Sequence, residues 1–131
     1  NFMNSVFSKI INKELPCYFI SENKFAISFM DINPIALGHV LVVPKVEVDY
    51  IFDLDPDVYY NLWDFTKKIS FALKKTISCE RISISVIGLD VPHAHIHLVP
   101  INKSSDVDFS NKINISSIEL EKLAKKISSN I

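Results

Sequence analysis

The sequence predicts an α+β domain with an antiparallel sheet of about five strands, one long helix and short helices near both ends. Two observations carry this prediction. Short runs rich in β-branched and aromatic residues recur along the chain, and one longer segment repeats its apolar residues at helical spacing. Strand runs mixed with one long helix point to an α+β class. At 131 residues and without an internal repeat, the chain is expected to be a single domain over residues 1–131.

Three segments carry helical signals. A short helix is predicted near residues 4–11. The long helix begins after Asp55, an N-cap followed by proline at the first helical position, and runs to about Lys75. The third helix, at about residues 116–128, opens with the capping-box pattern Ser-Ser-Ile-Glu. Before it, residues 102–114 form a polar connector.

Five segments are predicted to be strands, because β-branched and aromatic residues favour an extended chain. They span residues 17–20, 24–31, 40–44, 81–87 and 93–99. The first two form a pair across the turn Ser21-Glu22-Asn23. Together the five segments make the antiparallel sheet.

The last of these segments carries three of the four histidines of the chain on alternate positions. Side chains of a strand alternate between its faces, so His93, His95 and His97 would line one surface, with the apolar residues that alternate with them in a core. An unperturbed imidazole has a pKa of about 6.5, so one histidine can be an unprotonated nucleophile while a neighbour donates a proton. Such a row suits phosphorus chemistry through a covalent phospho-histidine.

Two other interpretations of the three histidines stay open at this point. As ordinary core residues, each would need its own set of hydrogen-bond partners. As metal ligands, they would share an ion, since neutral imidazole is the commonest metal ligand in proteins. Spacing alone does not separate these possibilities.

Three blocks of the sequence resemble the histidine triad (HIT) superfamily. Its signature, His-x-His-x-His and two apolar residues, matches residues 93–99. An Asp-x-x-Pro block at residues 31–34 and a Gly-His-x-Leu block ending in Pro-Lys at residues 38–45 follow the family's order and spacing. The resemblance covers roughly residues 4–100 and implies a HIT-like fold. It is strongest to the nucleoside phosphoramidate hydrolase (Hint-like) branch.

The resemblance implies a role for each histidine. His95 matches the nucleophile, which attacks the α-phosphorus of a nucleotide and forms a nucleotidyl-histidine that water then hydrolyses. His97 matches the histidine that contacts the phosphate and the leaving group. His93 matches the one that orients the nucleophile, and His39 matches a histidine that sits behind the triad.

The resemblance also implies a nucleotide-binding site. Asp31 matches the acidic residue that binds the ribose hydroxyls, and a carboxylate accepts two hydrogen bonds from a vicinal diol. An Asp before Asn-Pro is also a common turn residue. The wall against which the base lies matches five apolar residues that are equally ordinary core candidates: Val6, Phe7, Ile10, Phe29 and Ile32.

The loop ahead of the triad departs from the family pattern. Where many members have Asn and a longer Gly-rich stretch, this chain has Ser85 and a short loop. Asp90 falls where a phosphate-contacting hydroxyl is common, and a carboxylate there should repel a phosphate unless it points away or is protonated. Backbone amides around Gly88 and Asp90 are expected to cradle the α-phosphate.

A second departure concerns metal. Some family branches carry a structural zinc site that begins with a Cys-x-x-Cys pair, where this chain has Ser5 and Ser8, and residues 45–48 lack the histidine ligand that follows the Pro-Lys pair. A hydroxyl is a poor zinc ligand beside a thiolate. We therefore expect no metal ion and no cofactor.

Composition and charge exclude several classes of protein. A formal net charge of −1 offers no basic footprint for nucleic acid. The longest apolar runs, such as residues 40–43, are far shorter than the roughly 20 residues of a membrane helix. Two cysteines make no disulfide framework, and no signal-peptide pattern is present. We expect a cytoplasmic protein whose natural start is Met3.

Three functions remain on the sequence alone. The first is a nucleotide hydrolase or nucleotidyl transferase that acts through His95 on purine nucleoside phosphoramidates or related adenylylated compounds. The second is a dinucleoside polyphosphate hydrolase with the same chemistry and another leaving group. The third is a nucleotide-binding sensor or interaction module with weak catalysis. The resemblance also implies a homodimer, with weak support from the apolar residues 50–52 and the helical face near Trp63.

Overall fold

The computed structural model describes residues 5–131. The predictions for Met3 and Asn4 lie outside the described residues. The helices and strands are α1 (Val6–Ile11), β1 (Phe19–Glu22), β2 (Ala26–Met30), β3 (Val40–Pro44), α2 (Pro56–Thr76), β4 (Arg81–Ser85), β5 (Ile96–Ile101) and α3 (Ser117–Ser128). Single 3-10 turns lie at Ile51–Asp53 and Ser104–Asp106. Within residues 5–131, no helix has both the length and the apolar character needed to cross a bilayer.

The five strands form one antiparallel sheet in the order β1-β2-β3-β5-β4. The predicted α+β class is therefore confirmed. The sheet places β5 in its interior, between β3 and β4. In register, Leu41 of β3 and Ser85 of β4 both lie opposite His97 of β5. This pairing holds the third histidine of the triad between two neighbouring strands.

The main core lies between one face of the sheet and the two longer helices. It contains Val40, Val42, Ile96 and Leu98 from the strands, Leu62, Ile69 and Leu73 from α2, and Leu120 and Ile127 from α3. Burying each such side chain contributes about 1.5–3 kcal/mol. On the opposite face, Phe7 of α1 packs into a smaller apolar cluster with strand residues Ile27, Phe29, Leu41 and Val43. The sheet therefore separates a large core from a smaller one that adjoins the histidines.

The predicted boundary of the first strand was wrong. β1 spans Phe19–Glu22 instead of residues 17–20. The turn begins at Asn23, whose side-chain oxygen accepts hydrogen bonds from the N–H groups of Phe25 and Ala26 at 2.8 and 3.0 Å. This Asn turn lets β1 continue to Glu22.

The predicted last strand was wrong at its start. β5 begins after His95, so only His97 of the three histidines belongs to a strand. The ladder with β3 stops there because the Pro44 carbonyl accepts a hydrogen bond from the His93 imidazole and the Ala94 N–H donates to a loop carbonyl. The alternation of sides nevertheless persists, with Ala94, Ile96 and Leu98 in the main core.

Candidate active site

Four histidines form one buried cluster. His39 and His93 are fully buried, and His95 and His97 are 6% and 8% exposed. Ring centroids are 5.0 Å apart for His95 and His97 and 5.2 Å apart for His39 and His97. The structure thus brings together all four histidines that the sequence singled out.

Hydrogen bonding determines which nitrogen of His95 carries the proton. Its Nδ1 lies 2.7 Å from the carbonyl oxygen of His93. A carbonyl oxygen only accepts, so Nδ1 is the donor and Nε2 keeps its lone pair. His93 therefore orients His95 through its backbone, and the Nε2 lone pair is in the state that a nucleophile requires.

A second chain of hydrogen bonds defines the protons of His39 and His97. The Ile35 N–H donates to His39 Nδ1 at 3.1 Å, so the proton of a neutral His39 sits on Nε2. That Nε2 lies 2.9 Å from His97 Nδ1, which accepts. The proton of a neutral His97 is therefore on Nε2. The cluster therefore contains a lone pair on Nε2 of His95 and, on the neighbouring ring, an N–H on Nε2 of His97.

Burial disfavours the protonated form of His39, His93 and His97. Desolvation lowers the pKa of His97 to about 4, neighbouring His95 and His39 act in the same direction, and Asp31 opposes them. Burial also lowers the pKa of His39 and of His93. Since the charged form of a buried imidazole is disfavoured, the donor and acceptor pattern is maintained at neutral pH.

The His93 ring is held by the start of α1. Its Nε2 donates to the Pro44 carbonyl at 2.8 Å, and its Nδ1 accepts from the Ser5 hydroxyl at 2.8 Å. Ser5 also caps α1 by accepting from the Ser8 N–H. Glu47 accepts from the Ser5 N–H at 2.9 Å and the Ser8 hydroxyl at 2.7 Å. We call Ser5, Ser8, Glu47 and His93 the serine clasp.

Asp31 is a turn residue whose carboxylate also faces the histidine cluster. One carboxylate oxygen accepts from the Asn33 N–H at 2.8 Å, as in an Asx turn. The other lies 3.3 Å from His39 Nε2. The turn therefore aims the carboxylate at the histidine cluster, where its side chain is 16% exposed.

Asp31, His39 and His97 also have the composition of a metal site, with ligand atoms within 4.8 Å of one another. Both nitrogens of His39 are already committed, however, one to the Ile35 N–H and the other to His97. A metal would displace the Nε2 proton of His39. The hydrogen-bond chain accounts for this cluster without an ion.

The predicted base wall is brought together only in part. Phe7 and Phe29 form an edge-to-face pair with centroids 5.8 Å apart, and the Phe7 ring lies 5.0 Å from that of His95. Ile10 packs against the same cluster. Val6 and Ile32 remain at the surface, 42% and 66% exposed.

The short loop before the triad borders a cavity. Gly88 has a φ of +72°, in the left-handed region, and a side chain there would meet open space. Asp90 lies at the surface. A cavity of about 430 Å³ lies between this loop and residues 49–52 and reaches His95. The loop thus leaves His95 accessible from the cavity on this side.

Sequence reasoning missed Phe109 and Lys112, which lie in the polar connector. The Phe109 ring packs edge-on against His97, with centroids 4.8 Å apart, and against His39 at 5.8 Å. The Ile113 N–H donates to the Pro34 carbonyl at 2.9 Å, which ties the connector to the loop that carries Asp31. A lone aromatic residue in a polar stretch was the available signal.

The family model that describes the HIT domain matches residues 12–104. This chain belongs to the HIT family. The resemblance predicted from the three sequence blocks is confirmed. An uncharacterized HIT-like protein of Borreliella burgdorferi is 36% identical over 135 residues, which cover 96% of this chain and 97% of that protein. The crystal structure of a HIT-like protein from Bartonella henselae has a TM-score of 0.86 and 31% identity, with 98% and 96% of the two chains covered.

Other HIT relatives have enzyme names. The adenosine 5'-monophosphoramidase of Saccharomyces cerevisiae is 30% identical over 96 residues, which cover 72% of this chain and 61% of that enzyme. The asymmetrical bis(5'-nucleosyl)-tetraphosphatase of Schizosaccharomyces pombe is 33% identical over 106 residues, 77% of this chain and 56% of that enzyme. The family to which this chain belongs therefore includes nucleotide hydrolases.

The serine clasp occupies the positions at which some HIT branches begin a structural zinc site. Here Ser5, Ser8 and Glu47 present hydroxyls and a carboxylate that are already hydrogen-bonded to one another and to His93. The two serine hydroxyls do not fit a zinc site at positions where thiolates are the usual ligands, and the Glu47 carboxylate is already hydrogen-bonded to both serines. In this HIT chain, hydrogen bonds connect α1 to the triad.

We expect Ser5→Ala to destabilise the protein more than Ser116→Ala. Both changes remove the N-cap of a helix, which costs about 1 kcal/mol. Only Ser5→Ala also removes the hydroxyl that donates to the buried Nδ1 of His93, which brings its total cost to about 2 kcal/mol. Urea unfolding measures the loss, and 15N NMR of the imidazoles should show a shift at His93 in Ser5→Ala alone. Equal losses with an unchanged His93 resonance would contradict the clasp.

Stability should fall on acidification below about pH 6.5. The unfolded chain protonates its histidines near the ordinary value of 6.5, while the folded state keeps His97 neutral down to about 4. The contribution of neutral His97 to the free energy of unfolding is therefore fully present above pH 6.5. It is lost as the pH falls towards 4, and the loss amounts to about 3 kcal/mol. Urea unfolding between pH 7.5 and 4.5 measures the slope. The slope should be shallower in His97→Asn, and a flat wild-type profile would refute the argument.

Proposed function

We propose that this HIT chain is a nucleotide hydrolase or nucleotidyl transferase that cleaves purine nucleotide conjugates at the α-phosphate and releases the nucleoside monophosphate. The observation that carries the proposal is the tautomer of His95. Its Nδ1–H is held by the His93 carbonyl at 2.7 Å, which leaves the Nε2 lone pair free. The names of the HIT relatives support the same reaction class.

In the first step, His95 Nε2 attacks the α-phosphorus. A nitrogen–phosphorus bond forms while the bond from phosphorus to the leaving group breaks. The departing nitrogen or oxygen takes a proton from solvent, and the Nε2–H of neutral His97 donates a hydrogen bond to it as negative charge develops there. The positive charge that develops on the His95 ring is stabilised by the hydrogen bond from Nδ1–H to the carbonyl of His93.

In the second step, water attacks the phosphorus of the nucleotidyl-histidine. The water releases one proton to solvent and the other stays on the phosphate, and the bond between phosphorus and His95 breaks, so that His95 leaves with its Nδ1 proton. The products are the nucleoside monophosphate and both histidines in their starting tautomers. His97 stays neutral throughout, because the Nε2–H of His39 faces its Nδ1 and its own proton remains on Nε2.

The nucleotide is bound by residues on both sides of the triad. We propose that the base lies on Phe7 and Phe29 and covers the exposed side chains of Val6 and Ile32, and that Ile10 supports this wall. Burial of exposed apolar area favours binding by about 25 cal/mol per Å². Asp31, at the edge of the histidine cluster, accepts from the ribose hydroxyls.

The phosphates lie between the triad and the loop before it. Gly88 leaves open space where a side chain would stand, so its backbone can approach a phosphate closely. Ser85 lies opposite His97 across the β4–β5 pair, close to the same site. The surface position of Asp90 allows its carboxylate to point away from the phosphates.

Hydrolysis of a fluorogenic adenosine phosphoramidate tests the proposal. Wild type should release AMP in the presence of EDTA, because histidines and not a metal ion do the chemistry. His95→Ala should reduce single-turnover AMP release by at least about 1,000-fold, while AMP still binds. Cys79→Ala, a change outside the cluster, is the control. AMP binding without turnover by wild type would support a nucleotide sensor instead, and loss of activity in EDTA would support metal chemistry.

We further propose that the protein is a homodimer formed through the β4 edge of the sheet. β4 has a strand neighbour on one side only. Apolar side chains project at this edge and around the adjoining cavity, where Tyr50, Phe52 and Leu89 are 59%, 67% and 86% exposed. The Trp63 N–H lines the same cavity and is buried without a hydrogen-bond partner among residues 5–131. An antiparallel second copy would pair the edge strand, cover these side chains and offer Trp63 an acceptor.

Analytical ultracentrifugation tests the dimer. Wild type should sediment with about twice the 14.9 kDa mass of the chain. Leu89→Asp should dissociate it, because a charge would then be buried in the interface. Ile118→Asp changes a comparably exposed apolar residue on α3 and should leave the dimer intact. A monomeric wild type would refute the proposal.

A further inference from the structure

The connector between β5 and α3 crosses the active site in a fixed conformation. Asp108 accepts hydrogen bonds from the Ser110 N–H at 3.0 Å and the Ser110 hydroxyl at 2.6 Å, and its carbonyl accepts from the Asn111 N–H at 3.0 Å. These hydrogen bonds lower the pKa of Asp108. Two residues on, the Ile113 N–H is bonded to the Pro34 carbonyl. The turn at residues 108–111 is therefore fixed by its own hydrogen bonds and anchored on its C-terminal side to the loop that carries Asp31.

This turn places an aromatic ring on the two linked histidines. Phe109 projects from it and packs against His97 and His39, the pair whose hydrogen bond sets the proton on His97 Nε2. Phe109 thus connects the connector to the histidine that faces the leaving group. The residues that directly follow Phe109 therefore lie near His97.

Lys112 is the charged residue that this arrangement brings to the site. Its ammonium lies 5.9 Å from the centre of the Phe109 ring, at the edge of cation–π distance. Besides burial, the positive charge of Lys112 lowers the pKa of both His39 and His97, so Lys112 is close enough to act electrostatically on His97. Within residues 5–131, no carboxylate comes within 4.0 Å of this ammonium to form an ion pair.

We propose that Lys112 determines substrate preference by binding the anionic part of a leaving group, such as a phosphoryl or sulfuryl oxyanion. The proposal rests on the function proposed above and narrows it to one class of leaving group. An ammonium offers three donors and a point charge, which suits an oxyanion and gives nothing to a neutral amine. Phe109 and the turn place Lys112, and His97 still donates the hydrogen bond to the departing atom.

Two substrates that share AMP and differ in leaving group test this preference. Lys112→Ala should lower kcat/KM for diadenosine tetraphosphate by about tenfold or more, as expected for loss of a hydrogen bond to a charged group. Its kcat/KM for adenosine 5'-phosphoramidate should stay within about twofold of wild type. Lys112→Arg should retain most of the activity towards the tetraphosphate. Lys122→Ala removes the same charge from an exposed position on α3 and should affect neither substrate.

The loss in Lys112→Ala should also shrink at high salt, because an exposed ammonium is screened by ions. Equal losses on both substrates, or no loss on the tetraphosphate, would overturn the proposal. Adenosine 5'-phosphosulfate provides a third arm that separates a sulfuryl from a phosphoryl requirement.

A binding measurement separates this inference from the proposed function. In the His95→Ala background, calorimetry should show that Lys112→Ala weakens binding of diadenosine tetraphosphate and leaves AMP binding unchanged. If wild type turns over no substrate but this difference in binding persists, the hydrolase proposal fails and the oxyanion site stands. If wild type is active and the difference is absent, the oxyanion site fails alone.

Discussion

Burial of four imidazoles in one place is the constraint on which the active site depends. A buried ring nitrogen needs a partner, and each nitrogen of a neutral imidazole is either a donor or an acceptor. The carbonyl of His93 makes Nδ1 of His95 a donor, and the Ile35 N–H makes Nδ1 of His39 an acceptor. The Pro44 carbonyl makes Nε2 of His93 a donor, and His39 in turn sets the proton of His97, so three backbone groups determine where the protons of the four histidines lie.

The irregular end of the sheet supplies these backbone groups. A regular ladder would have occupied the Pro44 carbonyl with a strand partner, whereas here it accepts from the His93 ring. The break frees the residues before β5 to curve, so that the His93 carbonyl meets the His95 side chain. The serine clasp then holds the other nitrogen of His93 to α1, the helix that also carries Phe7. One irregularity therefore connects the sheet, His95 and the apolar cluster around Phe7.

Sequence patterns within a few residues predicted much of the fold. They failed where an element ends because of a hydrogen bond to a residue far away in the chain. β3 matches its predicted bounds because residues 40–44 are an apolar run buried on both faces. The start of α2 was predicted because Asp55 and Pro56 act within one helical turn. The start of β5 was missed because it depends on a distant partner. The Pro44 carbonyl, which bonds to the His93 ring and ends the ladder, lies 49 positions earlier in the chain.

The sequence by itself determined the HIT motif, the order of the elements and the row of three alternate histidines, because these follow from residue types at short spacing. Only the tertiary structure decided which nitrogen of each histidine carries the proton, because the partners come from separate elements. It also decided that the connector belongs to the site. Phe109 and Lys112 carry no local motif, and Phe109 meets His97, with Lys112 beside its ring, only because the chain folds back across the cluster.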